Sequence, residues 1–352
     1  MMGKYYVPPV PTLAALETLE EFPQTGLGLM RVPPYWALSQ GEGVRVGIVD
    51  TGCDLGHPEF RGRIVAAQDF NGKGTAQDGH GHGTHVAGIV AAARDGRGVV
   101  GAAPKAELVI AKVLADDGSG TDDQVAAGVR FCTAQGCDII NMSLGGPTPD
   151  ESLHQAIIEA VRAGVVVVCA AGNSGPGDDT VGYPAHFPES VAVAAVDDQA
   201  TRARFSSTGR EVDVCGPGVE VISTYKGGSY LRMSGTSMAA PHVAGALALW
   251  IGLVKRTQGR RPTVEDVRGW ITAQARDLGA PGVDPEYGAG LLVMPDASGP
   301  FKDVPADRWS ASAIAWAKER GIVTGYPDGT FRPDQAVSRE ELCVILHRAK
   351  GV

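Results

Sequence analysis

No run of lysines and arginines occurs in this chain, whose formal charge is −9 and whose pI is near 5.4. Phosphate backbones are held by basic faces, so the charge balance excludes nucleic acid as a partner. No apolar stretch reaches the roughly 20 residues that a bilayer requires. The longest, 243–254, contains Gly245 and Gly252 and reads as a buried helix, so no membrane partner is expected. Metal-type CxxC spacing is also missing. The six cysteines, at 53, 132, 137, 169, 215 and 343, sit in apolar contexts and read as buried free thiols of a reducing compartment, with Cys132 and Cys137 close in sequence. The start, MMGKYYVPPVPTLAALETLEEF, has no basic segment followed by an apolar run, which predicts synthesis without export and a cytoplasmic location.

What is present is an ordinary globular composition, 43% hydrophobic and 20% charged over 352 residues. That length suits one large α/β core with a small appendage, or two domains. Glycine is abundant at 48 residues, so many backbone positions need tight turns or close approach.

From 44 to 254, apolar β-type runs alternate with amphipathic helical patterns, the mark of a parallel sheet covered by helices. The strand candidates are 44–49, 108–114, 139–144 and 165–170. Between the last two, Asp150 caps a helix that places Leu153, Ala156, Ile157, Ala160 and Val161 on one face and ends at Gly164. Ligands of such sheets bind outside the carboxyl ends of the strands. Asp50, Ser143, Gly145 and Asn173 should therefore converge on one edge. The pattern breaks near 294–300, in MPDASGP. The domains expected are an extension at 1–24, a large α/β domain at 25–296 and a helical hairpin at 301–350, with helices around 309–320 and after the Ser338/Glu341 capping box.

Amide cleavage needs a nucleophile, a base, a group that orients the base, and donors for the oxyanion. GTSMAAPHVAGALALW sets Ser237 where a glycine loop becomes a long apolar helix, beside unpaired N–H groups. GHGTHVAGIVAA sets His82 at a similar transition, and VDTGCDLGHPEF sets Asp50 at a strand end, suited to fixing the imidazole tautomer. AAGNSG offers the Asn173 amide to the oxyanion. His80, His82 and His85 also form H-x-H-x-x-H, which as a zinc site would leave Ser237 and Asn173 without a purpose. His242 reads as a packed histidine.

These segments, in the order Asp, His, Ser, resemble the subtilase family of serine peptidases over roughly residues 29–292. The resemblance implies an α/β subtilisin-like fold and a serine endopeptidase acting through an acyl-enzyme on protein or peptide substrates. It implies that substrate binds as an added strand along Gly118, Ser119 and Gly120 and along Ser143, Leu144 and Gly145. Gly172 and Gly182 match the walls of the primary pocket, implying a preference for large apolar or aromatic residues before the cleaved bond. Met238 matches a methionine whose oxidation impairs activity. ARDGRGVVGAAP matches a loop that wraps structural calcium, implying Glu59, Asp95 and the carbonyls of Ala93, Arg97 and Val99 as ligands, with Glu standing for the usual Asp at 59. An ordinary solvated loop is the competing reading there.

YYVPPV at 5–10 resembles the short inhibitory extension of intracellular subtilisins, implying a zymogen-like latch in which Tyr5, Tyr6 and Val7 lie as a strand in the substrate cleft, Pro8, Pro9 and Pro11 hold an extended course, and Thr12 caps a helix anchored by Leu13, Leu16 and Leu19. The tail resembles a single S-layer homology module, with Asp303, Trp309, Gly325, Tyr326, Asp328, Gly329, Phe331 and Arg339 on its pattern. Such a module implies cell-wall polysaccharide as a partner, attachment at the cell surface, and, in a single copy, a homo-oligomer or a changed role. The competing function is a wall-binding protein with the peptidase domain as scaffold. Intact catalytic chemistry discriminates the two, and Asp50, His82, Asn173 and Ser237 are all present.

Overall fold

A computed structural model describes residues 4–6, 22, 24–297, 299–305 and 308–350. The described chain begins with strand β1 (Lys4–Tyr6) and helices α1 (Thr25–Leu29) and α2 (Val32–Tyr35). Alternation then sets in with β2 (Arg45–Asp50), β3 (Ile64–Asp69), α3 (His82–Ala91), β4 (Glu107–Lys112), β5 (Ser119–Thr121) and α4 (Asp122–Ala134). It continues with β6 (Ile139–Met142), α5 (Glu151–Arg162), β7 (Val166–Ala170), β8 (Val191–Val196) and β9 (Val212–Pro217). A hairpin of β10 (Val221–Tyr225) and β11 (Ser229–Met233) precedes α6 (Thr236–Gln258) and α7 (Val264–Gln274). Short strands β12 (Ala275–Arg276) and β13 (Leu291–Leu292) close this region, and α8 (Ala311–Glu319) and α9 (Arg339–Ala349) follow.

One nine-stranded sheet has the order β12-β13-β9-β8-β7-β6-β2-β4-β3, parallel throughout except for β12 against β13. Helices on both faces explain why β7, a run of valines, is buried at every position. The sheet is entered at β2 and built outward on both sides, so the carboxyl ends of β2, β6 and β7 share the edge where ligands of such sheets bind. Asp150 caps α5 as the pattern predicts, accepting from the Leu153 N–H at 2.9 Å, and Gly164 follows at φ 79°. Leu153, Ala156, Ile157 and Ala160 are buried, while Val161 is only partly so.

Helix α6 runs 23 residues and is long and apolar enough to cross a bilayer, yet 89% of its most apolar window is buried inside the protein. It is the central core helix, longer than the apolar run that announces it because the helix continues through polar residues at its carboxyl end.

All four expected strands differ at their boundaries, the one expected at 44–49 running from Arg45 to Asp50. The strand expected at 139–144 stops at Met142, because Ser143 turns away to bond the start of α6. The runs at 108–114 and 165–170 end at Lys112 and begin at Val166. Strands β3 and β8 to β13 are absent from the strand candidates of the sequence reading. Five of the six cysteines are buried as expected, but Cys343 is exposed on α9. Cys132 and Cys137 pack so closely that a Cβ added at Gly47 would lie 2.8 Å from one sulfur and 3.3 Å from the other.

The C-terminal region has its own small core of Phe301, Val304, Ala311 and Ile314, with Phe331 against it. Helix α8 is shorter at both ends than expected, starting after Ser310 and closing before Gly321 at φ 66°. The capping box forms as expected, with Ser338 Oγ accepting from the Glu341 N–H at 3.1 Å and Glu341 Oε2 accepting from the Ser338 N–H at 2.8 Å.

Candidate active site

Asp50 ends β2, and His82 begins α3, directly after Gly81 at φ 106°. Both side chains are fully buried, with His82 Nδ1 2.8 Å from Asp50 Oδ1. The Thr51 N–H donates to the same oxygen at 2.7 Å. The approach depends on Gly83, where a Cβ would fall 2.1 Å from the Gly52 carbonyl oxygen and 3.2 Å from Asp50 Oδ1. The carboxylate therefore fixes the tautomer with the proton on Nδ1, which leaves the buried Nε2 with its lone pair. Among the described residues His82 Nε2 has no hydrogen-bond partner.

Ser237 is the second residue of α6, where backbone N–H groups lack intrahelical acceptors. Its hydroxyl donates to the Ser143 carbonyl at 3.2 Å and is not bonded to His82 Nε2, which has no partner among the described residues. The Ser237 carbonyl would ordinarily accept from residue 241, but Pro241 has no N–H to give. Ser143 Oγ donates to it instead at 2.8 Å, tying the end of β6 to the start of α6. Asn173 Oδ1 accepts from the N–H and hydroxyl of Thr236, each at 3.0 Å. Its oxygen is thus occupied and its Nδ2 remains free to donate. Met238 is buried beneath, 1% exposed.

The expected substrate edges lie on either side. Gly118 turns at φ 80° into β5, which holds Ser119 and Gly120. Ser143 and Leu144 are buried after β6, and Gly145 leads to Gly146, which exchanges hydrogen bonds of 2.9 Å with Tyr183. Gly172 and Gly182 face each other, since a Cβ on Gly172 would come 3.7 Å from the Gly182 nitrogen. Strand β1 pairs antiparallel with β5, in the register Lys4 to Thr121, Tyr5 to Gly120 and Tyr6 to Ser119. Val7, Pro8, Pro9, Pro11, Thr12 and the leucines at 13, 16 and 19 lie outside the described residues.

The three histidines do not converge on a metal. His82 is committed to Asp50, and His85 Nε2 lies 2.9 Å and 3.1 Å from the carbonyls of Leu231 and Val221, where it must donate. Burial lowers His85 to about 3, so it stays neutral and pins the β10–β11 hairpin. His242 is packed, Nδ1 2.8 Å from the Met238 carbonyl, and burial lowers it to about 4.

Away from this centre, Glu59 is 3% exposed, and burial raises its carboxyl to about 7. Its Oε1 accepts from the Tyr230 hydroxyl at 2.7 Å and from the Val99 N–H at 3.3 Å, while its buried Oε2 has no partner. Asp95, which accepts from the Arg97 N–H at 3.1 Å, is near enough for its charge to push Glu59 upward. The carbonyls of Ala93, Arg97 and Val99 accept no hydrogen bond among the described residues. An orphaned carboxylate oxygen beside spare carbonyls is a donor set of hard oxygens that fits a cation such as calcium. Tyr230 was missed in the sequence because β11 was, and nothing local ties it to Glu59, 171 residues away.

Sequence comparison adds an independent line. The Subtilase family matches residues 41–290, and the S-layer homology domain matches residues 300–343. An intracellular serine protease of Paenibacillus polymyxa is 39% identical over 303 residues, covering 84% of this chain and 92% of that protein. Subtilisin DY of Bacillus licheniformis is 44% identical over 264 residues, 74% of this chain and 92% of its own length. The major intracellular serine protease of Bacillus subtilis (strain 168) is 40% identical over 259 residues, covering 71% and 81% respectively.

Proposed function

The chain belongs to the subtilase family and is a subtilisin-like serine protease with a C-terminal S-layer homology domain, and on that premise we propose that Asp50, His82 and Ser237 are its catalytic triad, held silent by its own N-terminal strand. Ser237 Oγ attacks the scissile carbonyl carbon as His82 Nε2 takes its proton, and Asp50 stabilises the imidazolium that results. The oxyanion is held by the Asn173 amide and the Ser237 backbone N–H. Collapse expels the amine, which takes the proton from His82. Water then cleaves the acyl-enzyme with His82 again as base. The glycine walls at Gly172 and Gly182 leave room for a large apolar or aromatic residue before the cleaved bond.

The observation that carries the latch is the antiparallel pairing of β1 with β5. An extended peptide bound by β-augmentation would use that same edge, Gly118 to Gly120, so substrate and N-terminus compete for one row of backbone groups. Prolines following the strand lack N–H donors and resist the geometry of attack. The full chain and a chain starting at Thr25 should differ about tenfold or more in initial hydrolysis of a fluorogenic peptide, because a tethered strand acts at millimolar effective concentration. Equal rates, with mass spectrometry showing the full chain unprocessed, would sink the latch.

Three further readings complete the proposal. Glu59 and Asp95, with carbonyls of Ala93, Arg97 and Val99, would hold a structural calcium ion that ties the loop after α3 to the short 3-10 turn Pro58–Phe60. Residues 1–24, 25–296 and 301–350 are taken as extension, peptidase domain and wall-binding module. Residues 301–350 would bind cell-wall polysaccharide, with Trp309, Tyr326 and Arg339 in contact. Helix α9, which buries no residue and exposes Leu342, Val344 and Leu346, supports assembly of copies through that module. Relatives named as intracellular favour a cytoplasmic peptidase, and the module favours attachment at the surface.

A further inference from the structure

Asp78 lies four residues before His82 and is 3% exposed. Its Oδ1 accepts from the Thr51 hydroxyl at 3.0 Å and from the N–H groups of His80 and Gly81 at 2.9 and 2.8 Å. Its Oδ2 accepts from the N–H and the hydroxyl of Thr84 at 2.9 and 2.6 Å. Five donors thus converge on one carboxylate that touches neither Asp50 nor His82 through its side chain. Only a carboxylate can accept on both sides, since an amide of the same shape would set N–H against N–H on one of them.

These donors belong to the two segments that carry Asp50 and His82. Thr51 follows Asp50 at the end of β2, and Thr84 is the third residue of α3, whose first is His82. Gly81 caps that helix with no side chain to offer, so Asp78 supplies the missing acceptor for its first turn. Thr51 is gripped from several sides: its N–H donates to Asp50 Oδ1, its Oγ1 accepts from the Gly83 N–H at 2.9 Å while donating to Asp78, and its carbonyl accepts from the buried Lys112 ammonium. The hydroxyl accepts from Gly83 only while its own proton points away from that N–H, and Asp78 fixes that direction. The Asp78 backbone is itself held to the segment leaving β2, with the Cys53 N–H donating to the Ala76 carbonyl and the Asp78 N–H to the Cys53 carbonyl, each at 3.0 Å. Backbone and side chain together clamp the end of β2 to the start of α3, beside the 2.8 Å contact between His82 and Asp50.

We propose that Asp78, acting through Thr51 and the first turn of α3, is a positioning residue of the peptidase: it sets the distance and angle at which His82 meets Asp50, and so where His82 Nε2 stands towards Ser237. This rests on the reading of Asp50, His82 and Ser237 as the triad. Asp138 supplies the contrast. It is also 3% exposed and bonded, but to Lys255, Arg261 and the Arg45 N–H, at the amino-terminal edge of the sheet, away from the triad. Its partners include two cations, as a buried structural carboxylate requires, whereas Asp78 is held by backbone and hydroxyl groups of the segments that bear the base and its orienting acid.

The test is steady-state hydrolysis of a fluorogenic peptide by the full chain and its Asp78→Asn, Asp138→Asn, Thr51→Val and Thr51→Ser variants, with mass spectrometry showing the same N-terminus in each. Asp78→Asn is expected to lower kcat about 10- to 100-fold with KM within about twofold, the cost of misplacing a reacting group by up to about 1 Å. Asp138→Asn should lower the melting temperature and leave kcat within about twofold. Thr51→Val deletes the hydroxyl at nearly constant volume and should lower kcat about tenfold, Thr51→Ser should restore it to within about threefold, and Asp78→Asn combined with Thr51→Val should cost little more than the larger single change, because both break one path. In proton NMR of the Ser237→Ala chain, the low-field resonance of the His82 Nδ1 proton held against Asp50 should shift or broaden on Asp78→Asn and stay in place on Asp138→Asn. If Asp78→Asn does not fold, the Thr51 pair decides: equal kcat for the Val and Ser variants overturns the proposal. Retention of kcat by Asp78→Asn, a rise in KM alone, or an equal loss of kcat in Asp138→Asn overturns it as well. Turnover that survives Ser237→Ala in a folded chain would instead remove the triad reading itself.

Discussion

The peptidase region and the C-terminal module solve the same problem of folding with very different resources. The first buries a continuous core on both sides of a nine-stranded sheet, and its central strands are apolar at nearly every position. The second has five buried apolar side chains among the described residues, four of them in one cluster, and leaves one entire helix in water. A deep core can hold costly polar groups in fixed positions: Asp50, His82 and Lys112 are all 0% exposed and all bonded. A shallow one cannot, and the module instead keeps its charged and aromatic groups at the surface, where Arg332 lies over Tyr326 at 4.0 Å and bonds Asp328. Chemistry that depends on sub-ångström placement belongs to the first kind of architecture, and adhesion to an irregular polymer suits the second.

The sharpest way to test that division is to remove chemistry from one region only. Ser237→Ala should lower kcat roughly 10⁶-fold, the magnitude measured for subtilisin itself and carried over here. Deleting residues 301–352 should change hydrolysis of a soluble peptide by no more than about twofold, as expected for a module that contributes no group to the site. A strong loss on deletion would show that the two regions share the catalytic work. Asn173→Ala should cost roughly 10²–10³ in kcat with KM little changed, again a subtilisin value rather than one obtained from this geometry. A drop confined to KM would place Asn173 in ground-state binding.

The polar centre was legible in the sequence because each of its parts sits in a local motif: Asp50 at a strand end, His82 and Ser237 at glycine-to-helix transitions, Asn173 after a buried valine strand. What was not legible is long-range. Nothing near Glu59 announces that Tyr230 will donate to it, nor that Ser143 will take the carbonyl that Pro241 leaves free. Strands β8 and β9 were missed for a related reason: one is rich in alanine and the other is broken by Asp213 and Gly216, and their strand character comes from neighbours on both sides rather than from propensity.

The proposed calcium site would separate the regions by stability. A cation that binds Glu59, Asp95 and the nearby carbonyls only in the folded state stabilises the peptidase region by about 2.7 kcal/mol at a free concentration of 100 Kd. For a domain of this size each kcal/mol moves the melting temperature by about 2–4 °C. Calorimetry with calcium and after chelation should therefore shift one transition upward and leave the module's in place. Coincident curves for stripped protein would remove the site, and Glu59→Gln should abolish the shift without touching the triad.

The most direct comparison is the same truncation made in each core. Ile140 is 0% exposed in central strand β6, while Ile314 is 8% exposed on α8. Isoleucine-to-alanine changes in cores cost about 2–5 kcal/mol, with the larger values where surroundings cannot collapse into the cavity. Ile140 is walled in by paired strands on both sides and belongs at the upper end. Ile314 has few buried neighbours and an open flank, so it belongs at the lower end, about 2 kcal/mol. The consequences nevertheless differ in the opposite sense. A large domain absorbs its loss as a lowered melting temperature, whereas a unit of about 50 residues has only a few kcal/mol in reserve. Ile314→Ala should therefore unfold the module near room temperature, seen as loss of its calorimetric transition and rapid proteolysis after residue 300, with peptide hydrolysis by the rest of the chain unchanged. If Ile314→Ala instead lowers a single transition of the whole chain, the two regions fold as one cooperative unit, and the small core borrows its stability from the large one.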